Sequence, residues 1–141
     1  MASTTARPTV APALTTDELV RRGALALGLT ILANSLLRVA GVALQPGLAD
    51  VEPFGWTAVV AVSAVAGVGA MTVYALLHRF SPAPVRHFRI AAVTVLVLSM
   101  VPLVFGAGDI AGLTTLGIVV LAGMHVVSAA VIVAALTAPS A

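Results

Sequence analysis

The sequence has no cysteine and no lysine, and only 9% of its 141 residues are charged. Without cysteine there can be no disulfide, no thiol chemistry and no Cys-based metal site, and the redox compartment is left undetermined. A soluble domain carries roughly 25% charged residues, so these side chains could not coat a water-facing surface. The net charge of +2 rests on seven arginines against five acids, too few charges to indicate a nucleic-acid partner. What the chain does have is aliphatic length: 60% of it is hydrophobic and its mean hydropathy is +1.14. The solvent for most of it is lipid.

A membrane-crossing helix needs about 20 mostly apolar residues at 1.5 Å rise each. Four runs qualify, at about 23–44, 56–77, 88–105 and 112–136. The runs are too long for β-strands and lack period-2 alternation, which excludes a β-barrel. The stretches "QPGLADVEPFG", "HRFSPAPVRH" and "GAGDIA" punctuate them with proline, glycine or charge. The fold class expected is an all-α, integral-membrane four-helix bundle: a single domain over 15–137 after a disordered Thr/Pro-rich tail, 1–14.

Arg7, Arg21 and Arg22 precede the first run, and Arg79, Arg86 and Arg89 flank the 78–88 loop. The other connections carry only Asp50, Glu52 and Asp109. The positive-inside rule then puts both termini in the cytoplasm and the chain, multi-pass, in the cytoplasmic membrane. "LTTDEL" reads as a capping box, with Thr15 as cap, Glu18 reaching back, and Leu14 against Leu19 as the hydrophobic staple. Acids in that first turn suit the helix dipole. Arg21-Arg22 followed by an apolar run and "GVA" also resembles a signal peptide cleaved after Ala43. The length of the run, the internal Arg38 and the capped start favour a retained helix.

Polar groups inside the runs need partners, because an ionisable group at the bilayer centre costs about 2.5–3.5 kcal/mol on insertion scales. Counted from the arginine-rich end of each run, Asn34, Ser99 and His125 all lie about 17 Å deep, near the midplane of a ~30 Å core. Thr30, Asn34 and Arg38 form one stripe on the first helix. Ser63, Gly67, Ala70 and Tyr74 share a face of the second, and Thr114, Gly117, Leu121, His125 and Ser128 a face of the fourth. Small and hydroxyl residues let helices approach and hydrogen-bond, so these three faces are expected to pack inward together. Arg38, nearer the acidic end, is expected to snorkel outward and pair with a carboxylate, Asp109 first. Trp56 reads as an interface anchor, and Pro102 as the kink or end of the third helix.

For His125 there are two readings. One is an interhelical hydrogen bond to Asn34, worth about 1–2 kcal/mol at most, that sets helix register. The other is a proton- or ligand-binding group in a central cavity. A single intramembrane histidine with no intramembrane carboxylate favours the first. His78 and His87 sit with the arginines, where an interfacial or anionic-lipid role fits better than catalysis.

Hydrolysis within a membrane needs a nucleophile with its base, paired aspartates or a metal. The spans hold no carboxylate pair, no HExxH and no second histidine at ligand spacing to His125. "GAGDIAG" looks like a nucleotide loop but joins two membrane helices. No enzyme, metal or cofactor is therefore expected. A proton-coupled exporter would need a membrane-embedded acid, and an inverted-repeat transporter an internal repeat; neither is found.

"ILANSLLRVAGV" in the first helix, "PFGWTAVV" at the start of the second, the arginine-rich middle loop and "MHVVSAAVIV" in the fourth together carry a resemblance. Over about residues 20 to 136 the chain resembles an uncharacterised family of small four-span bacterial and archaeal membrane proteins, the domain of unknown function numbered six-zero-six-nine. Asn34, Arg38, Met124 and His125 match the positions that make the family recognisable. The resemblance implies four helices with both termini inside, and no activity.

The expected role is a non-enzymatic structural or accessory membrane protein, either homo-oligomeric or a subunit of a larger membrane complex. A small transporter or channel using His125 and Arg38, or a lipid or hydrophobic-ligand binder, are the alternatives. A transporter requires a hydrated cavity reaching His125, an accessory subunit a dry interior, and a lipid binder a lateral apolar opening. The candidate polar-core residues are Asn34, Arg38, Ser99, His125 and Ser128, with Arg38 and Asp109 the candidate ion pair.

Overall fold

The computed structural model describes residues 15–139. The 1–14 tail, with Arg7 and Leu14 of the expected staple, lies outside the described residues. Four helices follow one another: α1 (Thr16–Leu44), α2 (Trp56–Phe80), α3 (Pro84–Phe105) and α4 (Thr115–Leu136), with no strand among the described residues. Each is long and apolar enough to cross a membrane. α1 packs against α2 and α4, and α3 packs against the same two on the far side. The short connections make neighbours antiparallel.

Helix ends follow local chemistry, and α1, α2 and α3 overrun their apolar spans. Thr15 caps α1, its Oγ1 accepting from Glu18 N at 3.2 Å. The Glu18 carboxylate, expected to reach back to Thr15, is instead held by Arg21 Nη2 at 2.8 Å and Arg22 Nε at 2.6 Å. Arg21 first, and then Arg22, keeps that carboxyl below the ordinary carboxylate value. α2 continues past residue 77 to Phe80, where His78 and Arg79 in the last turn suit the negative end of the helix dipole. α3 starts at Pro84, which occupies a first-turn position where its missing N–H costs nothing. Pro102 does not end α3. It lies one turn before the end, and Gly106 N closes that turn on Pro102 O at 2.8 Å. α4 starts at Thr115, later than the apolar run, because Thr114 caps it and also donates to Gln45 Oε1 at 2.7 Å. Gly112, at φ +77°, makes the turn before it.

Most of the surface is apolar and can only face lipid. Leu32, Val65 and Val97 are each more than half exposed, and only 11% of the α3 span window is buried inside the bundle. The interior is divided in two. At the acidic end Leu48, Val51, Phe54, Leu103, Leu121 and Met124 form one core. At the arginine-rich end Ala26, Tyr74, Phe88, Ile132 and Leu136 form the other. In the latter, Tyr74 meets His78 and Phe88 edge-on, with ring centroids 4.6 and 4.9 Å apart. Between the two cores lies a polar layer.

Candidate functional site

The layer is built where the three faces read from the sequence converge. Thr30 and Asn34 on α1 and Ser63 on α2 are buried, and Ser128 on α4 is half-buried. Asn34 Nδ2 donates one hydrogen to Ser63 Oγ and the other to Ser128 Oγ, each at 2.9 Å. One amide therefore ties three helices together. Its orientation follows from Ser63, whose single proton goes to Val59 O at 2.7 Å, so that its oxygen can only accept from Asn34. That geometry leaves Asn34 Oδ1 buried without a hydrogen-bond partner, and Thr30 Oγ1 is in the same condition one turn earlier.

His125 does not join this layer. Its Nδ1 lies 2.7 Å from Leu121 O on its own helix. A carbonyl only accepts, so Nδ1 carries the proton. The interior face of α4 runs through Gly117, Leu121, Met124, Ser128 and Ile132, which leaves the half-buried imidazole on the flank. Ser99, counted to the same depth, donates to Leu96 O at 2.7 Å within α3 and makes no hydrogen bond to the layer. The expected Asn34–His125 bond is thus replaced by Asn34–Ser63 and Asn34–Ser128.

Arg38 is also placed differently from the expectation. Its Nε donates to Phe54 O at 2.7 Å, and its guanidinium lies 4.0 Å from the centroid of the Trp56 ring. Asp109 is exposed and makes no ion pair among the described residues. The physical reason is reach. The 45–55 connection brings the Phe54 carbonyl to the end of α1, and the first residue of α2, Trp56, adds an aromatic face where the half-buried arginine gains a cation–π contact. Arg22, expected only to mark the arginine-rich side, is an interior residue. Its side chain is 6% exposed, and it bridges Glu18 to Leu136 O, 3.1 Å from Nη1. A cation at the C-terminal carbonyls of α4 is favoured by the helix dipole.

Among the described residues no group of three or more histidine or acidic side chains is placed to hold a metal ion. The layer can exchange hydrogen bonds, and it contains no carboxylate. Its hydrogen bonds set register among α1, α2 and α4. Asn34→Ala is expected to cost about 1–2 kcal/mol, the scale of interhelical hydrogen bonds in bilayers. Unfolding titration in mixed micelles measures this, and an unchanged midpoint would show that the amide contributes nothing to register.

Four lipid-facing helices closed around a buried polar layer define a multi-pass α-helical membrane protein. Within that class the chain belongs to the family of unknown function DUF6069, whose model matches residues 14–141. Comparison with curated proteins and with solved structures gave no match.

Proposed function

We propose that this protein is a non-enzymatic structural or accessory component of the cytoplasmic membrane, working alone as an oligomer or within a larger membrane complex, with both termini inside. The observation that carries this reading is the Asn34 clasp: both amide hydrogens go to serines on neighbouring helices, a use of polarity that holds helices together. The proton of His125 Nδ1, directed at the carbonyl of its own helix, supports the same reading. The orientation rests on Arg21, Arg22, Arg79, Arg86 and Arg89 lying at one end and Asp50, Glu52 and Asp109 at the other.

A transporter or channel is the second reading. It is favoured by the two buried oxygens without partners, Thr30 Oγ1 and Asn34 Oδ1, which a passing polar species could use. The absence of native cysteine makes the two readings separable. Single-cysteine variants are treated in native membranes with a water-soluble, membrane-impermeant thiol reagent. Ser128→Cys is expected to stay unmodified. In intact cells Gly108→Cys is expected to react and His87→Cys to react only after lysis. Rapid modification of Ser128→Cys would establish water at the layer and replace the accessory reading by the transporter. Reversed sidedness at residues 87 and 108 would overturn the orientation.

A further inference from the structure

The start of α3 presents two arginines that the fold does not use. Arg86 and Arg89 are exposed, and among the described residues neither makes a hydrogen bond or an ion pair. Other arginines are occupied: Arg21 and Arg22 by Glu18, Arg38 by Phe54 O and Trp56, and Arg79 over the Phe80 ring at 5.6 Å. The connection that leads into α3 contains no carboxylate. The two acids at this end of the bundle, Asp17 and Glu18, belong to α1, and Glu18 is already paired.

These arginines edge an open groove of about 520 Å³, lined by Ala83, Pro84, Val85, Arg86, Arg89 and Ile90. Its base is apolar and its rim is cationic. The rotation of α3 is set on the opposite side, where Phe88 is buried against Tyr74. At about 100° per residue, Val93, Val97 and Val104 then fall within roughly 20° of Arg86 around the helix, with Ile90 beside them. All four are more than half exposed, so a continuous β-branched column runs from the groove down the bilayer-facing side.

We infer that this groove is a binding site for an anionic phospholipid, its phosphate held by Arg86 and Arg89 and one acyl chain lying along Ile90, Val93 and Val97, the part of the column within the same leaflet. Three features select this occupant. Guanidinium forks suit phosphate oxygens bidentately. The arginines sit where the apolar span begins, the depth of lipid phosphates. Neither the connection nor α3 holds a carboxylate to attract the ammonium of a zwitterionic headgroup, which the two arginines repel. The inference rests on the membrane-spanning fold and is independent of the accessory reading.

The test is native mass spectrometry of the full chain in a neutral detergent, titrated with phosphatidylglycerol or with phosphatidylcholine. Phosphatidylglycerol is expected to bind roughly tenfold more tightly, from the attraction of two interfacial arginines. The preference should disappear in Arg86→Gln/Arg89→Gln and fall partway in Arg86→Gln alone. It should persist in Arg21→Gln/Arg79→Gln, which removes as much charge from the same end. Circular dichroism confirms that each variant is folded, and Arg86→Gln alone decides the matter if the double variant is not. Equal loss in both double variants would reduce the effect to a diffuse field and overturn the site. So would the absence of any preference. Displacement of the lipid by millimolar glycerol phosphate would show an anion site for soluble phosphates in place of a lipid site.

Discussion

Phe54→Ala is expected to destabilise the bundle by about 3–5 kcal/mol, the range for emptying a large buried aromatic position. Phe54 lies in a three-residue 3-10 helix, Glu52–Phe54, between α1 and α2, and is fully buried. The connection thereby inserts a plug into the acidic end of the bundle. Its neighbours are Leu48, Val51, Leu103, Leu121 and Met124, drawn from α3, α4 and the connection itself. On the α1 and α4 sides the ring sits against glycine: a Cβ at Gly41 or at Gly117 would lie 3.7 or 3.6 Å from its edge carbons. Those are contact distances for the ring, while the close approaches at the two glycines are made by Val120 at Gly41 and by Leu113 and Leu48 at Gly117. Removing it leaves a space that neither glycine can fill. Arg38 would keep its bond, because the acceptor is the Phe54 backbone carbonyl. The loss is therefore one of packing and not of charge pairing. Phe105, 82% exposed on α3, is the matched control, and Phe105→Ala should stay within about 0.5 kcal/mol. Unfolding of both variants in mixed micelles measures the difference. A loss below about 1 kcal/mol for Phe54→Ala would mean that the plug closes up without its ring.

Phe54 also marks where a reading of the chain by itself runs out. Apolar length finds all four helices, and the small-and-hydroxyl faces identify Asn34, Ser63, Gly67, Tyr74 and Ser128 as interior. Depth counting, by contrast, singles out Ser99 and His125, and neither joins the layer. Depth along a helix is blind to rotation about it. His125 and Ser128 are about 60° apart around α4, and a modest turn of that helix decides which of them meets Asn34. Arg21 and Arg22 meet a different limit. They are adjacent and chemically identical, yet one side chain is 62% exposed and the other 6%. Arg22 continues the Thr30–Asn34 stripe back through Ala26 and so faces the interior, while Arg21 lies about 100° away around α1. What the stripe does not reveal is the partner, the α4 C-terminus, placed by the packing of Ile132 and Leu136 against Ala26 and Tyr74. Arg38 failed to reach Asp109 for a related reason. Its partners, the Phe54 carbonyl and the Trp56 ring, are placed by the fold of the 45–55 connection and the start of α2 that it leads into. The 3-10 turns of that connection have no hydrophobic period to betray them.

The second large effect concerns two glycines of α2 that look alike in "VAGVGAM". Gly67→Leu is expected to cost about 1–3 kcal/mol or more, as overpacking does, whereas Gly69→Leu should cost nothing. At Gly67 even a Cβ would come 3.1 Å from Leu27 Cδ1 and 3.4 Å from Leu27 Cα, so α1 and α2 are nearly in backbone contact there. A leucine adds three carbons beyond that Cβ, and the main chain of α1 cannot move aside as a flexible side chain would. The helices must separate. Gly67 lies one turn from Ser63, so that separation also stretches the 2.9 Å bond from Asn34. Loss of packing and loss of the clasp should therefore appear together, the second as a changed side-chain amide resonance of Asn34. At Gly69 nothing lies within 4 Å of the built Cβ. A leucine there points into lipid and replaces a poor helix former, a gain of up to about 1 kcal/mol from helix propensity. Equal costs at the two positions would refute the close approach of α1 and α2. A shifted Asn34 resonance in Gly67→Leu with an unchanged one in Gly69→Leu would confirm that the polar layer depends on how closely these two backbones meet.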